Sequence, residues 1–223
     1  AATLIYTSGT TGVPKGVILT HDNLISNIKT ASDIIEFSYK DTVLSFLPLS
    51  HVLERMVMFT YIYKGCTVAF AESVEAVAQN LLEVRPHIMV SVPRVFEKIY
   101  TKVMDQVLGS PALRRRIFFW ALKVGKAYGA LELAGKPIPG GLAFRRSIAA
   151  KLVFSKIIAK TGGRIRFFVS GGAPLSKDIA EFFYAFGLVI LEGYGLTETS
   201  PLLSINTFEA IRLGTVGKPA PGI

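Results

Sequence analysis

Apolar positions along this chain fall into short β-branched runs separated by longer stretches of helical spacing. The runs at residues 3–6, 17–20, 43–47, 67–70, 88–91, 164–170 and 188–191 predict strands. Between them apolar residues recur every three to four positions, which predicts helices over 23–37, 52–63, 74–84, 93–107 and 177–186. This alternation argues for an α/β fold of layered sheets flanked by helices, the main sheet mostly parallel and buried on both faces. In such sheets ligands bind where the carboxyl ends of strands meet helix starts. No internal repeat or low-complexity tract interrupts the pattern.

Composition narrows the class. Half of the 223 residues are hydrophobic and 18% are charged, too apolar a balance for a disordered chain. Cys66 is the only cysteine, which excludes a disulfide framework and favours a reducing compartment, so a cytoplasmic protein is expected. The longest charge-free apolar stretches, 42–53 and 182–191, fall short of the ~18 residues of a membrane span, and no signal-peptide pattern opens the chain. The sequence starts inside a strand-like run and stops in a turn-rich one. It is therefore expected to be an internal piece of a longer chain, and its open sheet edges would admit self-association.

Charge is unevenly placed. Residues 111–166 hold 13 Lys/Arg against one acid, Glu132, so this segment carries +12 of the +9 total and leaves −3 elsewhere. Here Arg114, Arg115, Arg116, Lys123 and Lys126 interleave with Ile117, Phe118, Phe119, Trp120 and Leu122 in a helical pattern, and a second such stretch covers 142–160. The segment reads as a basic helical insertion, about 111–163, with a connecting loop at 135–141. A solvated basic face over a packed core explains it most simply, and peripheral contact with an anionic membrane, at its inner face, is the alternative. Nucleic acid is not expected as a partner, because no base-reading module appears.

The most informative stretch is Tyr6-Thr-Ser-Gly-Thr-Thr-Gly-Val-Pro-Lys-Gly16. Its glycines permit close backbone approach. The hydroxyls of Thr7, Ser8, Thr10 and Thr11, with Lys15, supply the donors and charge that a polyphosphate needs. It is not a Walker A loop: counted from Gly9, Pro14 stands where the second glycine is required, Gly16 follows Lys15, and a strand follows instead of a helix.

This stretch, Ser170-Gly-Gly-Ala-Pro-Leu175 and Glu192-Gly-Tyr-Gly-Leu-Thr-Glu-Thr-Ser-Pro201 together resemble, in order and character, the signatures of the adenylate-forming (AMP-binding) enzymes. The resemblance covers the whole chain and implies a part of that family's large N-terminal domain, divided into a phosphate loop (6–16), the basic insertion and an adenylate-binding part (164–223). It implies ATP as nucleotide, held by Thr7, Ser8, Gly9, Thr10, Thr11, Gly12 and Lys15 on the phosphate side. Gly172, Ala173 and Pro174 would lie on the adenine side, with Glu192, Gly193, Tyr194, Gly195 and Thr197 completing the site. Tyr194 offers a face on which adenine can stack, Thr197 a hydroxyl for the α-phosphate, and Glu198 a hard oxygen ligand. By resemblance Glu198 and Thr7 hold Mg²⁺, while Lys15, His51, Thr197 and Glu198 form the catalytic set.

His51, in Pro48-Leu-Ser-His-Val-Leu-Glu54, falls where the family has a His or aromatic residue beside the reacting carboxylate, with Val52 packing next to it. His87 is expected to be structural, and His21 to sit in a helix-capping neighbourhood. No Asp occurs between Asp41 and Asp105, so the partner that amino-acid-activating members use for an ammonium is missing; burying that charge unpaired would be costly. The apolar helix at 52–63, with Leu53, Met56, Met58, Phe59, Ile62 and Tyr63, the segments 90–100 and 205–213, and the basic insertion resemble the long-chain fatty acid–CoA ligases most.

The implied chemistry is attack of a fatty carboxylate on ATP to give acyl-AMP and pyrophosphate, then transfer to coenzyme A. The ribose-binding Asp, the hinge and the C-terminal lid domain with its lysine would lie beyond Ile223, so the chain alone is expected to be inactive. Another carboxylate–CoA ligase of the family, acting on medium-chain or aryl acids, or a non-catalytic ATP- or membrane-binding module, are the alternatives.

Overall fold

The structure, a computed structural model, describes residues 1–8 and 13–222. Two sheets are present among them. A two-stranded antiparallel ribbon joins β1 (Thr3–Thr7) to β2 (Lys15–Leu19). A seven-stranded sheet contains β3 (Thr42–Ser45), β4 (Thr67–Phe70), β5 (Ile88–Ser91), β6 (Phe167–Ser170), β7 (Ile190–Gly195), β8 (Leu202–Ile205) and β9 (Lys218–Pro219), in the order β4-β3-β5-β6-β7-β8-β9. The first five are parallel, and β8 and β9 add antiparallel. The mostly parallel, two-sided sheet predicted by the alternation is therefore present, with an antiparallel edge.

Period-two alternation sorts its side chains between two cores. Val43, Ile88, Val90, Phe167 and Val169 face α1 (His21–Ile34) and α2 (Val52–Tyr63), meeting Ile28, Ala31, Val57 and Tyr61. Leu44, Met89 and Phe168 face the other way, toward α3 (Val77–Val84), α4 (Pro93–Leu108), α5 (Ala112–Leu133) and α8 (Lys177–Ala185). That second core is aromatic: Phe96 meets Phe168 and Phe183 edge to face at centroid separations of 5.5 and 5.6 Å.

The basic segment is helical, as its pattern predicts. It comprises α5, α6 (Gly140–Ala149), a π-helical turn (Ala150–Phe154) and α7 (Ser155–Ala159). α5 buries Phe118, Ala121 and Val124 and lies close on α8, because a Cβ at Gly125 would sit 2.3 Å from the Ala185 carbonyl oxygen.

Most predicted boundaries shift by a few residues. α1 begins at His21, capped by Thr20, whose hydroxyl accepts from the Asn23 N–H at 3.1 Å while Asn23 Oδ1 accepts from the Thr20 N–H at 2.9 Å. The strand expected from 164 starts only at Phe167. Arg166 is engaged there by Asp41, its guanidinium donating to both carboxylate oxygens at 2.9 and 2.7 Å. His87 joins this edge, its Nδ1 accepting the Thr42 N–H at 2.9 Å, a structural role as expected.

Candidate active site

The carboxyl ends of β5, β6 and β7 open into a cavity of about 520 Å³. Its mouth is built by three segments far apart in sequence. The first is the end of β1, which contributes Thr7. The second is the turn into α2, which contributes His51 and Val52. The third runs from Gly193 through Tyr194, Gly195 and Thr197 to Glu198. Gly172, after β6, completes the rim.

The third segment is shaped by its own sequence. Thr199 Oγ1 accepts the Leu196 N–H at 2.9 Å and donates to the Pro201 carbonyl at 2.7 Å, which winds Thr197–Thr199 into one 3-10 turn. Register slips between Tyr194 and Gly195, where the chain passes so close to β8 that a Cβ on Gly195 would lie 1.6 Å from the Pro201 carbonyl oxygen. Only glycine fits. The result is a half-exposed Tyr194 ring (48%) and an exposed Glu198 carboxylate on one wall.

The other predicted residues divide. Lys15 is cross-strand partner of Thr7, and β2 packs against the 3-10 turn, so Lys15 stands beside the cavity although it does not line it. Ser8, Ala173 and Pro174 are exposed near the rim without lining it. Glu192 lies beneath the surface, 7% exposed, and its Oε1 accepts the Leu175 N–H at 3.0 Å. This ties the loop after β6 to β7; burial pushes the carboxyl pKa up, the amide hydrogen bond pulling against it. Gly9, Thr10, Thr11 and Gly12 fall outside the described residues.

Behind the mouth the cavity turns apolar and runs between the sheet and the two helices, along Leu53, Met56 and Val57 of α2, Ala31 of α1 and Ile35 just past its end. Of the apolar α2 residues singled out from sequence, Leu53 and Met56 line it. Phe59, Ile62 and Tyr63 do not, since they lie on the exposed face of the helix at 40, 64 and 59%, and Met58 is buried elsewhere.

Three polar residues escaped sequence reasoning. Glu54 lines the cavity at 1% exposure and accepts a short hydrogen bond from Ser45 on β3. Its burial drives the carboxyl pKa up to about 7 against the opposing effect of Ser45. Asn27 of α1 is buried and accepts the Leu202 N–H at 3.0 Å, steadying the segment after the 3-10 turn. Helical spacing did not set Glu54 or Asn27 apart, since each helix buries another polar residue, Thr60 in α2 and Ser32 in α1. Ser170, which opens the second signature segment but had no role assigned from sequence, is fully buried with no hydrogen-bond partner for its hydroxyl.

The donors fit a magnesium polyphosphate. Among the described residues no group of three His, Cys, Asp or Glu could cage a metal. One carboxylate, Glu198, with the Thr7 hydroxyl on the same cavity suits a hard cation that brings most of its oxygen ligands as phosphate and water, as Mg²⁺ does.

Comparison with known proteins identifies the family. The family described as AMP-binding enzyme matches residues 1–223, and the chain belongs to that family. It is 41% identical over 229 residues to a long-chain-fatty-acid–CoA ligase, FadD15, of Mycobacterium bovis, covering 99% of this chain and 37% of that protein. It is 39% identical to the peroxisomal long chain acyl-CoA synthetase 7 of Arabidopsis thaliana, with 99% and 30% covered. Among solved structures, ATP-bound MatB from Rhodopseudomonas palustris superimposes with a TM-score of 0.66 at 25% identity, covering 98% of this chain and 34% of that one. The chain thus spans about a third of the length of the curated relatives it matches.

Proposed function

We propose that this chain is the nucleotide- and acyl-binding part of a long-chain fatty acid–CoA ligase. One observation carries the reading: Thr7, Tyr194, Thr197 and Glu198 share a cavity whose inner half is apolar. A hydrophobic acid entering it would leave its carboxylate at the mouth beside the α-phosphate of ATP. The names of the two curated relatives favour a long chain, and each buried methylene contributes roughly 0.8 kcal/mol.

In this reading adenine stacks on Tyr194, with Gly172, Ala173 and Pro174 on its other side. Thr7, Ser8 and Lys15, together with the loop 9–12, hold the phosphates. Thr197 donates to the α-phosphate, and His51 and Val52 orient the carboxylate. Attack of a carboxylate oxygen on the α-phosphorus breaks the bond to pyrophosphate and gives acyl-AMP. The thiolate of coenzyme A then displaces AMP from the acyl carbon. Glu198 and Thr7 would hold Mg²⁺, which when bound supplies charge neutralisation on the phosphates. Lys15 adds charge from the ribbon, so the contribution of the chain is positional and electrostatic. Glu192 acts from beneath by fixing the loop after β6.

The test is ATP–pyrophosphate exchange by the full-length protein across straight-chain acids of increasing length. Exchange should peak with long chains. A peak with aryl or amino acids would overturn the substrate while sparing the adenylation chemistry.

A second reading concerns the basic insertion. Leu113 (70% exposed), Trp120 (37%) and Phe144 (68%) stand among exposed Arg114, Arg115, Arg116 and Arg145. This favours peripheral contact with an anionic bilayer in the cytoplasm; no helix among the described residues is long and apolar enough to cross one. Salt-sensitive sedimentation with vesicles containing phosphatidylserine, lost when Arg114, Arg115 and Arg116 become Gln, checks it.

A further inference from the structure

The apolar part of the cavity contains one acid. Glu54 projects from the first turn of α2, is almost wholly enclosed, and lines the same space as Val90, Val169 and Ile35. A hydrophobic channel gains nothing from an acid in its wall. Glu54 is enclosed yet borders the cavity, so an apolar chain filling that space would lower the polarity around its carboxyl and disfavour the ionised form further.

We propose that Glu54 is a proton-linked specificity residue: an apolar chain binds with uptake of one proton by Glu54, so occupancy of the cavity is coupled to pH. The inference rests on the reading of this cavity as the acyl site. Ser45 on β3 supplies the single hydrogen bond that the carboxyl receives among the described residues. α1 presents Ala31 to the cavity, the residue after it Ile35, and β5 and β6 valines and Ser170, none of which carries charge. On its own helix Arg55 is turned away, its guanidinium donating to the Leu49 carbonyl at 2.9 Å and to Thr3 Oγ1. Tyr61, two turns further along α2, is buried and its phenol is pushed up, by burial first and by the Glu54 charge second, so it stays neutral. The titratable groups at the cavity mouth are His51, Tyr194 and Glu198. Glu54 makes no ion pair among the described residues, so a proton is the counter-charge open to it.

The burial that raises the Glu54 carboxyl to about 7 places the coupling in the physiological range. Dodecanol is the probe, because it is apolar and does not itself titrate. Calorimetry on the full-length protein should show affinity falling up to about tenfold from roughly pH 6 to pH 8, with net proton uptake in buffers of different ionisation enthalpy. Glu54→Gln should bind with an affinity independent of pH, near the low-pH value of the native protein. Ser45→Ala, which removes the bond favouring the charged form, should keep the dependence and move its midpoint up, a readout that survives if the Gln variant fails to fold. Binding with no pH dependence in the native protein, or the same dependence retained by Glu54→Gln, would overturn the inference and leave the acyl site standing. Absence of dodecanol binding at every pH would overturn both.

Discussion

The carboxylate of Glu192 accepts the backbone N–H of Leu175 at 3.0 Å, joining the middle of β7 to the loop that follows β6. Two segments of the site thereby share one buried anchor. Glu192→Ala would strand a buried amide and is expected to cost about 1–3 kcal/mol in urea unfolding. Glu192→Gln, whose amide oxygen can still accept, should cost less than about 1 kcal/mol.

Stability should also depend on Glu54. Its carboxyl titrates near 7 when folded, above its ordinary range, so between those values the folded protein holds a proton that the unfolded chain has released. The folded state is then favoured at low pH and loses stability as pH rises through that window, by up to about 3 kcal/mol, levelling off above 7. Burial also raises Glu192, which adds in the same direction. Unfolding midpoints measured across this range should therefore fall toward neutral pH, and Glu54→Gln should flatten most of the slope.

Gly195 and Gly172 should respond differently to alanine. At Gly195 the new Cβ would meet the Pro201 carbonyl oxygen at 1.6 Å, so β7 and β8 must separate. A loss of more than about 2 kcal/mol and failure to bind ATP are expected. At Gly172 the nearest atom would be Val92 Cγ1 at 3.7 Å, and the difficulty is only the φ of +80°. That strain costs about 1–2 kcal/mol, with the fold retained.

Tyr194 tests the nucleotide side. Replacing its half-exposed ring by alanine should weaken ATP binding about tenfold, equivalent to about 1.4 kcal/mol, while Tyr194→Phe leaves affinity nearly unchanged. Equal losses in both variants would point to the hydroxyl and against stacking.

Much of this architecture was readable in the chain because two periodicities coexist in it. Strand alternation at Val43–Leu44 and Phe167–Phe168 assigns neighbouring residues to opposite cores, and helical spacing fixes α2 at its observed bounds. The site segments were legible because glycines and hydroxyls are hard to account for in a buried sheet. What spacing could not convey was direction. Phe59, Ile62 and Tyr63 belong to the same apolar helix as Met56, and only packing decides that they face outward. Glu54 was hidden for the converse reason: in one dimension a buried acid looks like a surface acid, and its partner Ser45 comes from a strand nine residues earlier. Nor could the antiparallel edge formed by β8 and β9 be foreseen, since these short strands carry little pattern of their own.

The decisive experiment is a structure of the full-length protein with Mg²⁺ and ATP. Adenine should lie against the Tyr194 ring, the triphosphate along Thr7 and Lys15, and the metal on the Glu198 carboxylate. A nucleotide bound elsewhere, with Tyr194 and Glu198 untouched, would contradict this placement.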